Sequence, residues 1–119
     1  MKILVVDDSK LARLTLIKTL KEYEPSAEIY EAENGAIAVE LFKAENPSAV
    51  FLDLTMPVMD GYEALKLIMQ VNPNAQVVVV SADIQAQAQK QVLALGARLM
   101  VPKPINSDKM LAVLKQLVF

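Results

Sequence analysis

The chain of 119 residues has no cysteine, no histidine and only three glycines. Without cysteine there are no disulfides, thiolate metal sites or thiol nucleophiles. Without histidine, the commonest general base and the commonest metal ligand are both missing. Gly35, Gly61 and Gly96 lie too far apart to form a Walker-type or dinucleotide-type phosphate loop. No apolar stretch approaches the roughly 18 residues of a membrane span. The start, MKILVVDD, places only Ile3 to Val6 before two acids, too short a run for a secretory segment. Net charge is −2 with lysines and arginines scattered singly, so no basic surface points to nucleic acid or to a membrane. A cytoplasmic protein is expected, with chemistry drawn from carboxylates, hydroxyls, lysines and the backbone.

What is present is apolar. A hydrophobic share of 54% over this length can bury a real core, and one domain over residues 1–119 is expected. Short aliphatic bursts at 3–6, 49–54, 77–80 and 99–101 read as buried strands. The segment AEIYEA at 27–32, with acids at Glu28 and Glu31, reads as an edge strand. Helix-period stretches fall between them at 9–23, 35–45, 61–71, 83–95 and 107–118. Ser9 is a candidate N-cap, as are Asn106 and Ser107, and Gly96 is a candidate C-terminal stop. Five strands alternating with five helices predict an α/β fold, a mostly parallel sheet with helices on both faces.

In such sheets ligands bind beyond the carboxyl ends of the strands. Asp7 and Asp8 follow the first strand, Asp53 falls near the end of the third, Ser81 follows the fourth and Lys103 the fifth. Three neighbouring carboxylates raise one another's pKa, and a divalent cation resolves the conflict. Carboxylate oxygens with waters suit Mg²⁺. Lys103 adds a positive charge for an anion, so Asp53 is the candidate nucleophile of a phosphoryl-transfer site. Taken singly, an Asp-Asp pair is commonly a turn or cap, and Asp53 could be a capping acid. Their joint placement on separate strand ends favours a site.

VVDDSK (5–10), FLDLTMPVMDG (51–61), VVVVSA (77–82) and VPKP (101–104) resemble the receiver domain of two-component response regulators, in order and over essentially the whole chain. The resemblance implies a doubly wound, flavodoxin-like, five-stranded parallel sheet of order 2-1-3-4-5 with five helices. It implies Asp53 as phosphoacceptor, with Ser81 and Lys103 acting on the phosphoryl oxygens. Asp7, Asp8, Asp53 and the carbonyl of Thr55 would hold Mg²⁺. The donor would be a phosphohistidine on a histidine kinase or histidine phosphotransfer protein, since this chain has no histidine. Ser81 would couple the site to the face of helix 4, strand 5 and helix 5, which would bind a downstream protein. A cis peptide before Pro104 is also implied.

Departures are informative. Met100 stands at the switch position where the family commonly has an aromatic, Arg98 and Leu99 where one dimerising class has acids, and Ile105 where an aromatic is more usual. Thr55 and Asp83, flanking the path of attacking water, are expected to tune phosphoryl lifetime toward fast turnover. Leu11 and Leu14 are expected to dock the phosphohistidine partner if Ala12, Leu16 and Leu20 face the sheet. Ile17, further along, is expected to lie partly outward with them, and Ile37 and Leu41 raise the same question on the second helix. The expected protein is a stand-alone signalling receiver that promotes its own phosphorylation and dephosphorylation. Alternatives are a receiver cut from a longer transcription regulator, or a non-phosphorylated scaffold. A haloacid dehalogenase-type phosphatase would need an acid at position 55, where Thr55 stands.

Overall fold

The computed structural model describes residues 1–82 and 84–119. Five strands alternate with five helices: β1 (Lys2–Val6), α1 (Lys10–Tyr23), β2 (Glu28–Ala32), α2 (Gly35–Glu45), β3 (Ala49–Leu52), α3 (Gly61–Val71), β4 (Val77–Ser81), α4 (Ala86–Ala94), β5 (Leu99–Pro102) and α5 (Ser107–Lys115). The strands form one parallel sheet in the order β2-β1-β3-β4-β5. This is the expected doubly wound arrangement, with β2 at an edge and Glu28 and Glu31 exposed on it.

Alternation along each strand sorts the core into two halves. Leu4, Val6, Val50, Leu52, Val77 and Val79 pack with α2, α3 and α4 residues such as Phe42, Leu65, Ile68 and Val92. Ile3, Val5, Phe51, Val78 and Val80 pack on the other face with Leu20, Met110 and Val113 from α1 and α5. Burying a side chain of this size contributes about 1.5–3 kcal/mol. A parallel sheet covered on both faces requires the near-continuous apolar runs found in β1, β3 and β4.

The helix boundaries follow local chemistry. Ser9, Asn34, Asp60 and Asn106 each cap a helix, their side-chain oxygens accepting from the backbone N–H three residues on. Asn106 rather than Ser107 therefore caps α5. Gly96 follows α4 with φ +111°, a conformation glycine adopts without cost. Two helices are shorter than the periodicity suggests: α4 begins at Ala86, and α5 ends at Lys115 rather than at 118. In α5 the last turn tightens, with the Gln116 N–H donating to the Val113 carbonyl and the Leu117 N–H to that of Leu114. The Lys103–Pro104 peptide is cis, as expected.

One residue of the β3–α3 loop carries strain. Val58 has φ +69°, and the Met59 N–H donates to the Pro57 carbonyl across it at 2.8 Å, closing a γ-turn of the rare positive-φ kind. A β-branched residue is disfavoured there, and Val58 is 85% exposed, so no packing offsets the cost. Val58→Asn should stabilise the protein by about 1 kcal/mol, because asparagine tolerates the left-handed region without glycine's unfolded-state entropy. Urea unfolding checks this, and an unchanged midpoint would show that the loop relaxes around valine at no cost.

Candidate functional site

The register that builds the sheet also builds the site. Val5 and Val6 of β1 lie beside Phe51 and Leu52 of β3, so the next residues out, Asp7 and Asp53, emerge side by side beyond the carboxyl edge. Asp53 lies just past the strand, which ends at Leu52 rather than running to 54. Its N–H still donates to the Val6 carbonyl at 3.0 Å, and that of Asp7 to the Ala32 carbonyl at 3.1 Å. Both side chains point to the α1/α5 side by the same alternation that directs Val5 and Phe51 there.

Asp7 and Asp53 are buried and Asp8 is exposed. One carboxylate oxygen from each can be chosen so that all three lie within 4.8 Å of one another. Lys103 bridges the buried pair, its Nζ 2.6 Å from Asp7 Oδ2 and 3.3 Å from Asp53 Oδ1. The lysine is placed by β5, which pairs Pro102 with Ser81 of β4, and by its own N–H, which donates to the Ser81 carbonyl at 3.0 Å. Ser81 is itself buried at this edge. Asp7, Asp8, Asp53, Ser81 and Lys103 are thus gathered at one edge. Thr55 is exposed in the loop beyond Asp53. Asp83 lies outside the described residues.

The bland role of the Asp-Asp pair is real but partial. Asp7 Oδ1 accepts from the Ser9 N–H at 2.9 Å and turns the chain into α1, while Oδ2 remains for Lys103. Asp53 Oδ1 likewise accepts from the Leu54 N–H at 2.9 Å. Two contributors to this geometry are not visible as motifs. Arg13 donates from Nε to Glu31 at 2.9 Å and through its guanidinium to the Asp7 carbonyl at 2.6 Å, tying the β1–α1 turn to β2. Gly35 donates its N–H to the Met59 carbonyl, holding the far end of the β3–α3 loop. The only sequence signal for either is spacing, an arginine about one turn into α1 and a glycine following the cap Asn34.

Electrostatics follow from the crowding. Burial, then the Asp7 charge, push the Asp53 carboxyl above its ordinary value, against the opposing pull of Lys103 and the Leu54 N–H. Burial works against the charged form of Lys103, but its hydrogen bond to Asp7 and the charge of Asp53 outweigh that and raise its pKa. Because the folded value for Asp53 exceeds the unfolded one, the native state favours its proton. That stabilisation is full below the unfolded value of about 3.9 and is lost as pH rises through the folded value. The Lys103 contribution persists to about pH 10.4 and disappears above it. Metal-free protein should therefore lose stability through Asp53 as pH rises from 4 toward neutrality. A calorimetric comparison with Asp53→Asn at pH 4 and pH 7 checks it, and a stability difference that does not change with pH would contradict the raised Asp53 value.

A family model for the response regulator receiver domain matches residues 3–115. The chain belongs to that family. This receiver is 38% identical over 116 residues to the chemotaxis protein CheY of Listeria monocytogenes, with 98% of this chain and 97% of that protein covered. It is 36% identical over 115 residues to CheY of Bacillus subtilis, with 97% and 95% covered. Among solved structures, the response regulator domain of Thermotoga maritima CheB superposes with TM-score 0.84 at 30% identity, covering 98% of this chain and 92% of that one. CheY in the CheX–CheY–BeF3–Mg²⁺ complex of Borrelia burgdorferi superposes with TM-score 0.82 at 32% identity, covering 98% and 85%. The protein is a CheY-like receiver, a signalling domain of two-component systems.

The remaining candidates fall into place on this receiver fold. Leu11 and Leu14 on α1 are 75% and 48% exposed, pointing away from the sheet, which Leu20 faces fully buried. Ile17 differs from its neighbours: it packs partly buried on the α1/α5 core. Ile37 and Leu41 are also partly buried, against the opposite core half. Met100 is partly buried there too, on β5 beside Val79. Among the described residues, no helix is long and apolar enough to cross a membrane.

Proposed function

We propose that Asp53 accepts a phosphoryl group from a phosphohistidine on a partner histidine kinase or histidine phosphotransfer protein. The observation that carries this reading is Lys103 held between Asp7 and Asp53 beside a third carboxylate. Asp7, Asp8 and Asp53 offer hard oxygen ligands in a cluster whose excess negative charge calls for a cation, so they fit Mg²⁺, and the Thr55 carbonyl would be the further protein ligand. The Borrelia complex with BeF3 and Mg²⁺ supports that assignment. When bound, Mg²⁺ supplies positive charge to the transferring phosphoryl oxygens.

An Asp53 carboxylate oxygen forms the new bond to phosphorus. The phosphorus–nitrogen bond to the donor breaks, and its electron pair returns to the imidazole. Lys103, already 3.3 Å from Asp53, pairs with the oxygens of the added group. The Ser81 hydroxyl hydrogen-bonds to another of them, drawing the loop after β4 inward. The near-dianion thereby biases the α4–β5–α5 face between two arrangements. Met100, flexible and half-buried on β5, takes up the space vacated by the shift.

Thr55, exposed beyond Asp53, and Asp83 set phosphoryl lifetime by orienting water, with turnover on the fast side. Leu11 and Leu14 dock the donor beside the acidic edge. An unidentified protein reads the switched face. The receiver promotes both its phosphorylation and its dephosphorylation, works in the cytoplasm, and engages neither nucleic acid nor membrane.

The test is incubation with a small acyl phosphate and Mg²⁺, followed by intact mass and hydroxylamine treatment. A gain of one phosphoryl group that needs Mg²⁺ and is removed by hydroxylamine is expected, since an acyl phosphate is cleaved where a serine or threonine ester is not. No gain would identify a receiver-like scaffold that does not use phosphate.

A further inference from the structure

A cavity of about 280 Å³ opens between the first turns of α1 and the turn at Lys103–Ile105. Its floor is Val5, Phe51 and Val80, the outermost residues of β1, β3 and β4 that face α1 and α5. Ala12 and Leu16 of α1 form one wall and Ile105 the other. The space persists because Ala12 carries only a methyl group where the helix crosses the sheet edge, and because Ile105 is too short to fill the gap from the far side. An enclosed apolar cavity of about 150 Å³ suffices for a benzene ring. This one holds a ring and a short linker.

One end of the cavity is polar and unbalanced in charge. Asp7 and Asp53 reach it, with the Asp8 carboxylate close by. Lys103 is the cation paired with Asp7 and Asp53. Arg13 also lines the cavity, but its guanidinium is engaged by Glu31 and by the Asp7 carbonyl. Two carboxylates, with a third beside them, thus outnumber one ammonium at the end of an apolar slot.

We propose that this cavity is a binding site for a small aryl-alkyl cation, a ring carrying a primary amine or amidine on a short linker. The ring lies on Val5, Phe51 and Val80 between α1 and Ile105, and the cationic head donates to the Asp7 and Asp53 carboxylates. Charge complementarity selects the head: an anion of the same shape would meet the carboxylates. The apolar floor selects the body: a bare ammonium ion gains nothing from it. The head occupies the place of a divalent cation, so the ligand and Mg²⁺ exclude each other. None of this depends on phosphoryl transfer, and binding is measured without a phosphodonor.

The experiment is an amide NMR titration of the metal-free protein with 2-phenylethylamine, phenylacetate and methylammonium. The amine should shift the amides of Ala12, Phe51, Val80 and Ile105 saturably, with Kd on the order of 1 mM or tighter for a ligand of this size. Phenylacetate and methylammonium should bind at least about tenfold more weakly, which is the ratio expected from roughly 1.4 kcal/mol. Mg²⁺ should raise the apparent Kd of the amine by a factor of one plus its free concentration divided by its own Kd. Ile105→Phe and, independently, Ala12→Leu fill the slot and should weaken the amine at least about tenfold, again a ratio equal to roughly 1.4 kcal/mol. Should one variant fail to fold, the other still decides. The proposal is overturned by shifts that do not saturate, by phenylacetate binding as well as the amine, or by full affinity in a folded slot-filling variant.

Discussion

Asp53→Asn is expected to take up no phosphoryl group: its intact mass should stay unchanged in acyl phosphate and Mg²⁺, where that of the wild type should rise by one phosphoryl group. The expected loss is complete within detection, a factor above about 100, since an amide oxygen lacks the charge that attacks phosphorus. The same substitution should raise metal-free stability at pH 7. Burial and Asp7 disfavour the Asp53 carboxylate more than Lys103 and the Leu54 N–H favour it, and the amide removes that cost. Opposite signs for function and stability mark a residue kept for chemistry. If phosphoryl uptake survives in Asp53→Asn, the acceptor lies elsewhere. If uptake is lost and metal-free stability also falls, the Lys103 bridge contributes more to folding than the crowding costs. Chemical denaturation with chelator present measures the second effect.

Gly61→Ala is expected to be the most damaging of the three glycine-to-alanine changes. A Cβ at Gly61 would lie 2.2 Å from the Asp53 carbonyl oxygen and 2.6 Å from the Leu54 Cα. Both are backbone atoms of the segment that carries the acceptor, so no side chain can swing aside. The Gly61 N–H donates to the Leu54 carbonyl at 2.8 Å, which fixes that close approach. Relief requires α3 to withdraw from the sheet edge or Asp53 to move. Overpacking of this kind costs typically 1–3 kcal/mol and sometimes more. A loss of at least about 3 kcal/mol is expected, together with slower phosphoryl uptake by whatever fraction folds, because the Asp53 backbone is what the methyl displaces. Thermal melting and the mass assay read the two effects. A variant with wild-type stability would mean that the α3 start is not held against Asp53 as tightly as the backbone contact requires. Gly35 behaves similarly: an added Cβ would fall 2.5 Å from the Met59 carbonyl oxygen. The loop that follows Asp53 is thus gripped at both ends by glycines that admit no side chain.

The alternation of strands and helices and the residues at the carboxyl edge were legible because each rests on a short-range rule, whereas the strand order came only from the family resemblance. Alternation directs Asp7 and Asp53 to the same side as Val5 and Phe51. Helix ends were less legible. The period of α4 runs back toward 83, yet the helix begins at Ala86, and Gln85 at its N-cap makes no side-chain capping bond. In α5 the apolar period continues through Leu117 while the backbone tightens after Lys115. Periodicity measures which face is buried, not where the last helical hydrogen bond closes.

By itself the sequence determined the alternation of elements, the burial of the central strands and the identity of the five side chains at the strand ends. These follow from side-chain periodicity and residue chemistry within windows of a few residues. Tertiary structure alone decided that Lys103 reaches Asp7 at 2.6 Å across 96 positions of sequence, and that Arg13 braces the turn beside it. It alone decided that Leu11 and Leu14 face outward while Ile17 does not, that Gly61 lies against the Asp53 carbonyl, and that a slot remains beside Ala12 and Ile105. The physical reason is common to all of these. Each is set by the rotation and separation of packed elements, where differences of an ångström decide between a contact, a clash and a cavity.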